Sequence, residues 1–253
     1  MEAEEKITAR WNYCAEGYDD IIQEELGSFR PQAWLALLEK ELPGEAPLKI
    51  LDVGTGPGFF TILLSSRGHK VTAIDSSREM LARAEQNVTA AGFQAEFYQM
   101  DAQEPSFEKN TFDVIISRNV TWTLLDGEKA YKNWKRILKK GGRLLIFDAN
   151  WGKPGWNAEE AEDYRRREEL FRERYGEPYD TFKGPDELRE LNIHYPMYER
   201  QRPEWDVRML EKLGYCTIHT DTDIIGQLWD EKEKLLYGGT PLFMIAGEKE
   251  REE

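Results

Sequence analysis

The stretch Ile50-Leu51-Asp52-Val53-Gly54-Thr55-Gly56-Pro57-Gly58 decides how this chain is read. An apolar run of strand formers ends at an acid, passes through three glycines and enters the helical-looking segment 59–67. That is the layout of a strand, a tight turn and a helix start. In open α/β sheets, ligands bind just beyond the carboxyl ends of the strands. Glycine lets backbone approach a ligand where a Cβ would collide, and a helix start offers unpaired N–H groups and partial positive charge.

The glycine spacing separates two cofactor classes. A dinucleotide turn reads G-x-G-x-x-G; here the third glycine comes one residue early, at Gly58, and Phe59 takes its place. Segment 71–75 reads as a second parallel strand ending in Asp75, about twenty residues beyond the first glycine, where a carboxylate can accept both hydroxyls of a ribose. Ser76 and Glu79 are spaced as a capping box for the next helix. A third strand at 95–100 delivers Asp101-Ala102, and a fourth at 110–117, apolar through its centre, delivers Ser117-Arg118-Asn119 and Trp122. Asp126 caps a helix with Tyr131, Trp134, Ile137 and Leu138 on one side. Lys139-Lys140-Gly141-Gly142 then turns into a fifth strand at 143–147, with Asp148 at its end.

Asp-x-Gly-x-Gly-x-Gly after an apolar strand resembles the first motif of class I S-adenosylmethionine (SAM) methyltransferases. The string Ile74-Asp75-Ser76-Ser77-x-x-Met80-Leu81-x-x-Ala84 is similar to that family's second motif. Arg136-Ile137-Leu138-Lys139-Lys140-Gly141-Gly142-Arg143-Leu144 resembles its Leu-Lys-Pro-Gly-Gly turn, with lysine in place of proline. Trp11, Ala15, Tyr18 and Asp19 look like the opening segment of ubiquinone/menaquinone-type members.

The resemblance implies an α/β, doubly wound, seven-stranded, mostly parallel sheet with the last strand antiparallel. It further implies a single domain over 1–253, with a helical arm at 1–44 and a substrate-cap insertion at 151–202. SAM is the implied cofactor, held by Asp52, Gly54, Thr55, Gly56 and Gly58 at the turn. Asp75, Ser76 and Met80 would serve its nucleoside, Asp101 and Ala102 its adenine, and Ser117 and Arg118 its methionine part.

Around this core the sequence leaves alternatives open. Segment 8–26 mixes aromatics with acids, and Gly17 argues against one uninterrupted helix. It either packs on the domain or covers the cofactor mouth, where ring faces favour a sulfonium. Trp11, Tyr18, Asn119, Trp122, Asn150 and Trp151 are candidate acceptor contacts. Tyr179, His194, Tyr195 and Tyr198 in the aperiodic part of the insertion are possible pocket residues, and the insertion is expected to roof that pocket. Tyr18, Asp148 and His194 are the candidate bases. Residues 31–42 and 158–175 read as helices, the second strongly charged; a helix from Pro203 and strands at 215–220 and 242–246 close the chain.

With 253 residues, 40% apolar and 32% charged, the composition is that of a globular protein. The net charge of −14 disfavours a nucleic-acid substrate. Cys14 and Cys216 make neither a disulfide framework nor a metal cluster, so no metal is expected, and Cys14 lacks the partner thiols of arsenite-type chemistry. No signal peptide or membrane span is read, and a cytoplasmic setting is expected. The function read from all this is transfer of a methyl group from SAM to a small molecule. An NAD-dependent oxidoreductase and a non-catalytic SAM-binding protein are the alternatives; the acceptor and the oligomeric state are not legible.

Overall fold

In the computed structural model the described residues are 3–44, 47–151, 157–185 and 194–251. Seven strands form one sheet: β1 (Lys49–Val53), β2 (Lys70–Asp75), β3 (Glu96–Gln99), β4 (Phe112–Arg118), β5 (Leu138–Asp148), β6 (Tyr215–Asp221) and β7 (Phe243–Lys249). Their order is β3-β2-β1-β4-β5-β7-β6. Strands β1 to β5 are parallel, and β7 runs antiparallel to β5 and β6. This is the expected topology.

The central strands are apolar on both sides because both faces are covered, as parallel sheets require. Alternate residues divide between two cores. Ile50, Val114, Ile116, Leu145, Phe147 and Met244 pack with α2 (Arg30–Glu41) and α3 (Phe59–Ser66). Leu51, Val53, Ile115, Leu144, Ile146 and Ile245 pack with α5 (Gly127–Ile137) and α7 (Glu204–Lys212). Helix α4 (Arg78–Ala90) lies between β2 and β3, and α6 (Ala158–Tyr175) packs on α9 (Glu231–Tyr237), which follows the short α8 (Ile225–Leu228).

From β1 the chain winds outward to β3, then returns to place β4 on the other side of β1. The register sets Val53 beside both Ile74 and Ser117, so the carboxyl ends of β2, β1 and β4 lie level at this switch point. Ligands are expected there.

Three local expectations are corrected. Helix α1 (Ala3–Leu26) runs unbroken through Gly17. The glycine is there for close approach: an added Cβ would fall 2.5 Å from the Thr181 Cα. The cap of α4 is Ser77, which accepts the Met80 N–H at 3.1 Å, in place of the Ser76–Glu79 box. Strand β5 begins at Leu138, paired with Phe112; residues 139–142 form a bulge within it, and Arg143 resumes the register opposite Val114. Gly141 carries the bulge with φ 70°.

Candidate active site

The turn after β1 is built on Asp52. This buried carboxylate accepts the hydroxyls of Thr55 and Thr61, each at 2.8 Å. The N–H groups of Gly54 and Thr55 donate to the Ile74 carbonyl at 2.8 and 3.0 Å, which ties the turn to β2. Gly54, Gly56 and Gly58 all have positive φ (66°, 53° and 94°), a region that ordinary residues avoid. They nevertheless do three different jobs. A Cβ on Gly54 would meet Val120 at 2.3 Å, and one on Gly58 would press on Ala84 of α4 at 3.2 Å. A Cβ on Gly56 would meet nothing within 4 Å, because it would enter open space.

That space is a cavity of about 670 Å³. On the β2 side, Asp75 accepts the Gly56 N–H at 3.0 Å and the Ser77 N–H at 2.8 Å. Burial raises the Asp75 carboxyl to about 6, against the opposing pull of these backbone donors. On the β3 side, Asp101 takes the N–H of Gln103 at 2.9 Å, and Trp134 of α5 holds the Ala102 carbonyl at 2.7 Å. On the β4 side Arg118 and Asn119 enter the wall, with Asn119 in a left-handed conformation (φ 58°). The Arg118 guanidinium pairs with Glu25 at 2.8 Å and lies 4.4 Å from the centre of the Phe59 ring.

Helix α1 forms the roof. Glu4, Thr8, Trp11, Tyr18 and Ile22 line the cavity, and Asn12 accepts the Ser77 hydroxyl at 2.7 Å. Trp11 and Tyr18 meet edge to face at 5.5 Å. Burial lifts the Tyr18 phenol far above its ordinary range, so it stays protonated. Glu4, Glu5, Asp52, Asp75 and Asp101 make the lining acidic; among the described residues Arg118 is its one cation.

The structure therefore brings Trp11, Tyr18, Asp52, Gly54, Thr55, Gly56, Asp75, Ser76, Met80, Asp101, Ala102, Arg118 and Asn119 to one cavity. Other expected residues lie elsewhere. Gly58 serves helix packing. Ser117 is fully buried beneath the wall. Trp122 stands behind Trp11 at 6.0 Å, stacked with Tyr198 at 5.5 Å and in contact with Tyr195 at 5.3 Å. Trp151 packs on Tyr237, and Asn150 donates to the Arg202 carbonyl. Tyr179 is half exposed and bonds Glu24.

Of the candidate bases, Asp148 is buried against Arg202 and Thr121, outside the cavity. His194 is exposed and 3.7 Å from Glu199. Among the described residues of 151–202, none lines the cavity. Instead Thr181 and Phe182 brace α1 from behind, at Gly17 and Cys14.

The sequence reading missed Glu4, Thr8, Asn12, Gln103 and the run 123–125. For α1 a signal was present: Glu4, Thr8, Trp11, Ala15, Tyr18 and Ile22 recur at alternating spacings of four and three, one face of a helix.

The fold sets this glycine-and-carboxylate crevice at the switch point of a doubly wound α/β domain. Residues 51–146 match the model of a family described as "Methyltransferase domain". A phosphatidylethanolamine N-methyltransferase of Cereibacter sphaeroides is 37% identical over 102 residues, 40% of this chain and 50% of that protein. A demethylmenaquinone methyltransferase of Thermus thermophilus is 33% identical over 106 residues, 41% of this chain and 48% of that protein. The chain thus spans about half the length of the curated relatives it matches. In fold it is similar to the crystal structure of a putative SAM-dependent methyltransferase from Methanococcus maripaludis, with TM-score 0.62, 22% identity, and coverage of 94% of this chain and 93% of that one. Residues 51–146 thus match a methyltransferase domain, and the chain as a whole shares the fold of SAM-dependent methyltransferases.

Proposed function

We propose that the protein binds SAM in the cavity beneath α1 and transfers its methyl group to a small molecule. One observation carries this reading: Gly56 opens onto the cavity while its N–H is held by Asp75, so the turn and the carboxylate act as one fitted unit. The residues present suit SAM. The space beside Gly56 admits a ligand at backbone distance, and the acidic lining favours a sulfonium while opposing the pyrophosphate of a dinucleotide.

When bound, SAM supplies the electrophilic methyl group. Each carboxylate oxygen of Asp75 already takes one backbone N–H and has capacity for a ribose hydroxyl. Asp101 is available to the adenine amino group and the Ala102 N–H to a ring nitrogen. The start of α3 favours the carboxylate of the methionine part. Trp11 and Tyr18 exclude water above the reacting centre.

The chain's contribution is alignment and desolvation. Tyr18 keeps its proton and so offers no phenolate base to the acceptor. Among the described residues no helix is long and apolar enough to cross a membrane. Incubation with methyl-labelled SAM and a cell metabolite extract tests the reading. Label is expected in a small-molecule fraction; label confined to macromolecules, or to unreacted SAM, contradicts it.

A further inference from the structure

A buried ion network stands outside the cavity and takes no part in the chemistry above. Arg202, at the end of the 151–202 insertion, is 1% exposed in its side chain, and both Asp148 and Asp206 are 0% exposed. Its Nε donates to Asp206 at 2.8 Å and its Nη1 to Asp148 at 3.2 Å, while Nη2 donates to the Thr121 hydroxyl. Thr121 in turn donates to Asp148, and the Trp122 N–H donates to the same Asp148 oxygen at 2.9 Å. The Tyr131 hydroxyl donates to Asp206. Burying one guanidinium with two carboxylates does little for stability, because desolvation offsets their attraction. It is a strong constraint on position.

The constraint falls on the loop after β4. Thr121 and Trp122 belong to a short 3₁₀ turn at Thr121–Thr123. On either side of them, Asn119, Val120, Thr123, Leu124 and Leu125 line the cavity. Val120 is the residue that a Cβ on Gly54 would strike, so this loop sits directly over the glycine turn. The other side of the cavity is secured separately, by Gly56 and Ser77 on Asp75 and by Trp134 on Ala102.

We propose that Arg202 is a positioning residue: through Asp148 and Thr121 it fixes the 118–125 wall for methyl transfer, without holding the nucleoside. This rests on the methyltransferase reading above. The arrangement links the end of the insertion to the site, since Tyr195 and Tyr198, a few residues before Arg202, also bear on Trp122. The insertion thereby acts on the site from behind its wall.

Two variants test the link from its two ends. Arg202→Lys keeps the charge but cannot reach three partners in a planar fork. Thr121→Val removes the hydroxyl that both Arg202 and Asp148 use. In both, amide hydrogen exchange across 119–124 is expected to rise at least tenfold, with exchange at 70–77 and 101–103 unchanged. S-adenosylhomocysteine, measured by calorimetry, is expected to bind within threefold of the parent. On any acceptor turned over by the parent, kcat is expected to fall at least tenfold with KM for SAM within threefold. Unchanged exchange across 119–124, or a rise spread evenly over the sheet, overturns the proposal. If Arg202→Lys fails to fold, Thr121→Val decides by the same readings. Failure of the parent to bind S-adenosylhomocysteine would instead strike the methyltransferase reading and leave the exchange result to judge Arg202 by itself.

Discussion

The Cα of Thr181 occupies the place where a side chain on Gly17 would begin: an added Cβ falls 2.5 Å from it. Helix α1 is thereby pressed between the cavity on one side and the 181–183 segment on the other. The Lys183 N–H donating to the Tyr13 carbonyl at 2.9 Å holds the same contact.

Gly17→Ala is therefore expected to push α1 away from its brace. Overpacking of this kind costs about 1–3 kcal/mol. Thermal unfolding should show a lower Tm, and calorimetry a weaker SAM affinity, since α1 supplies the roof. An unchanged Tm would mean that the 181–183 segment yields freely.

Two glycines of the turn should respond differently to the same change. Gly54→Ala drives a methyl group into Val120 and is expected to lower Tm strongly. Gly56→Ala meets no protein atom; it adds only the strain of a left-handed alanine, about 1–2 kcal/mol, and is expected to damage SAM binding more than stability. Paired unfolding and binding measurements on both variants check this contrast.

Asp75 gives a pH dependence with a defined sign. Its carboxyl is raised to about 6 by burial, and only the ionised form can accept two ribose hydroxyls. SAM affinity should hold above pH 7 and weaken as pH falls through about 6, by at most tenfold per unit for one proton. A raised folded-state value favours the protonated fold, so the stability linked to Asp75 is present at low pH and lost as pH rises through about 6. Weaker binding at pH 5 is then not unfolding through this group. Asp75→Asn should bind SAM more weakly, by about 1–3 kcal/mol, and lose the pH dependence; a titration of Kd against pH for both proteins decides.

Ser77 caps α4 and donates to Asn12 of α1, so it serves both helices. Ser77→Ala should cost about 1 kcal/mol of stability through the lost cap. It should also weaken SAM binding by freeing the roof, whereas Asn12→Ala should free the roof while leaving the Ser77–Met80 cap in place. Chemical denaturation and calorimetry together separate the two contributions.

How much of this was legible in the sequence depends on how local each feature is. The glycine turn, Asp75 and Asp101 are each fixed by a strand end and its next few residues, so their spacing announces them. The α4 cap slipped by one residue because Ser76 and Ser77 are both good caps, and the choice falls to Asp75, whose Oδ1 takes the Ser77 N–H. Gly17 was misleading because helix propensity is a weak prior, and the close approach of Thr181 lies 164 positions away in the chain. The bond between Asp148 and Arg202 spans 54 residues, with the whole insertion between them. No pattern in that interval signals that the insertion props the wall from behind while α1 covers the site.

The central claim is that the crevice at Gly56 and Asp75 is shaped for SAM, and titration calorimetry of the intact protein with SAM and, separately, with NAD tests it most directly. Saturable one-to-one heat is expected with SAM, with weaker affinity in Asp75→Asn, and no heat with NAD. Tight binding of NAD with no heat from SAM would contradict it.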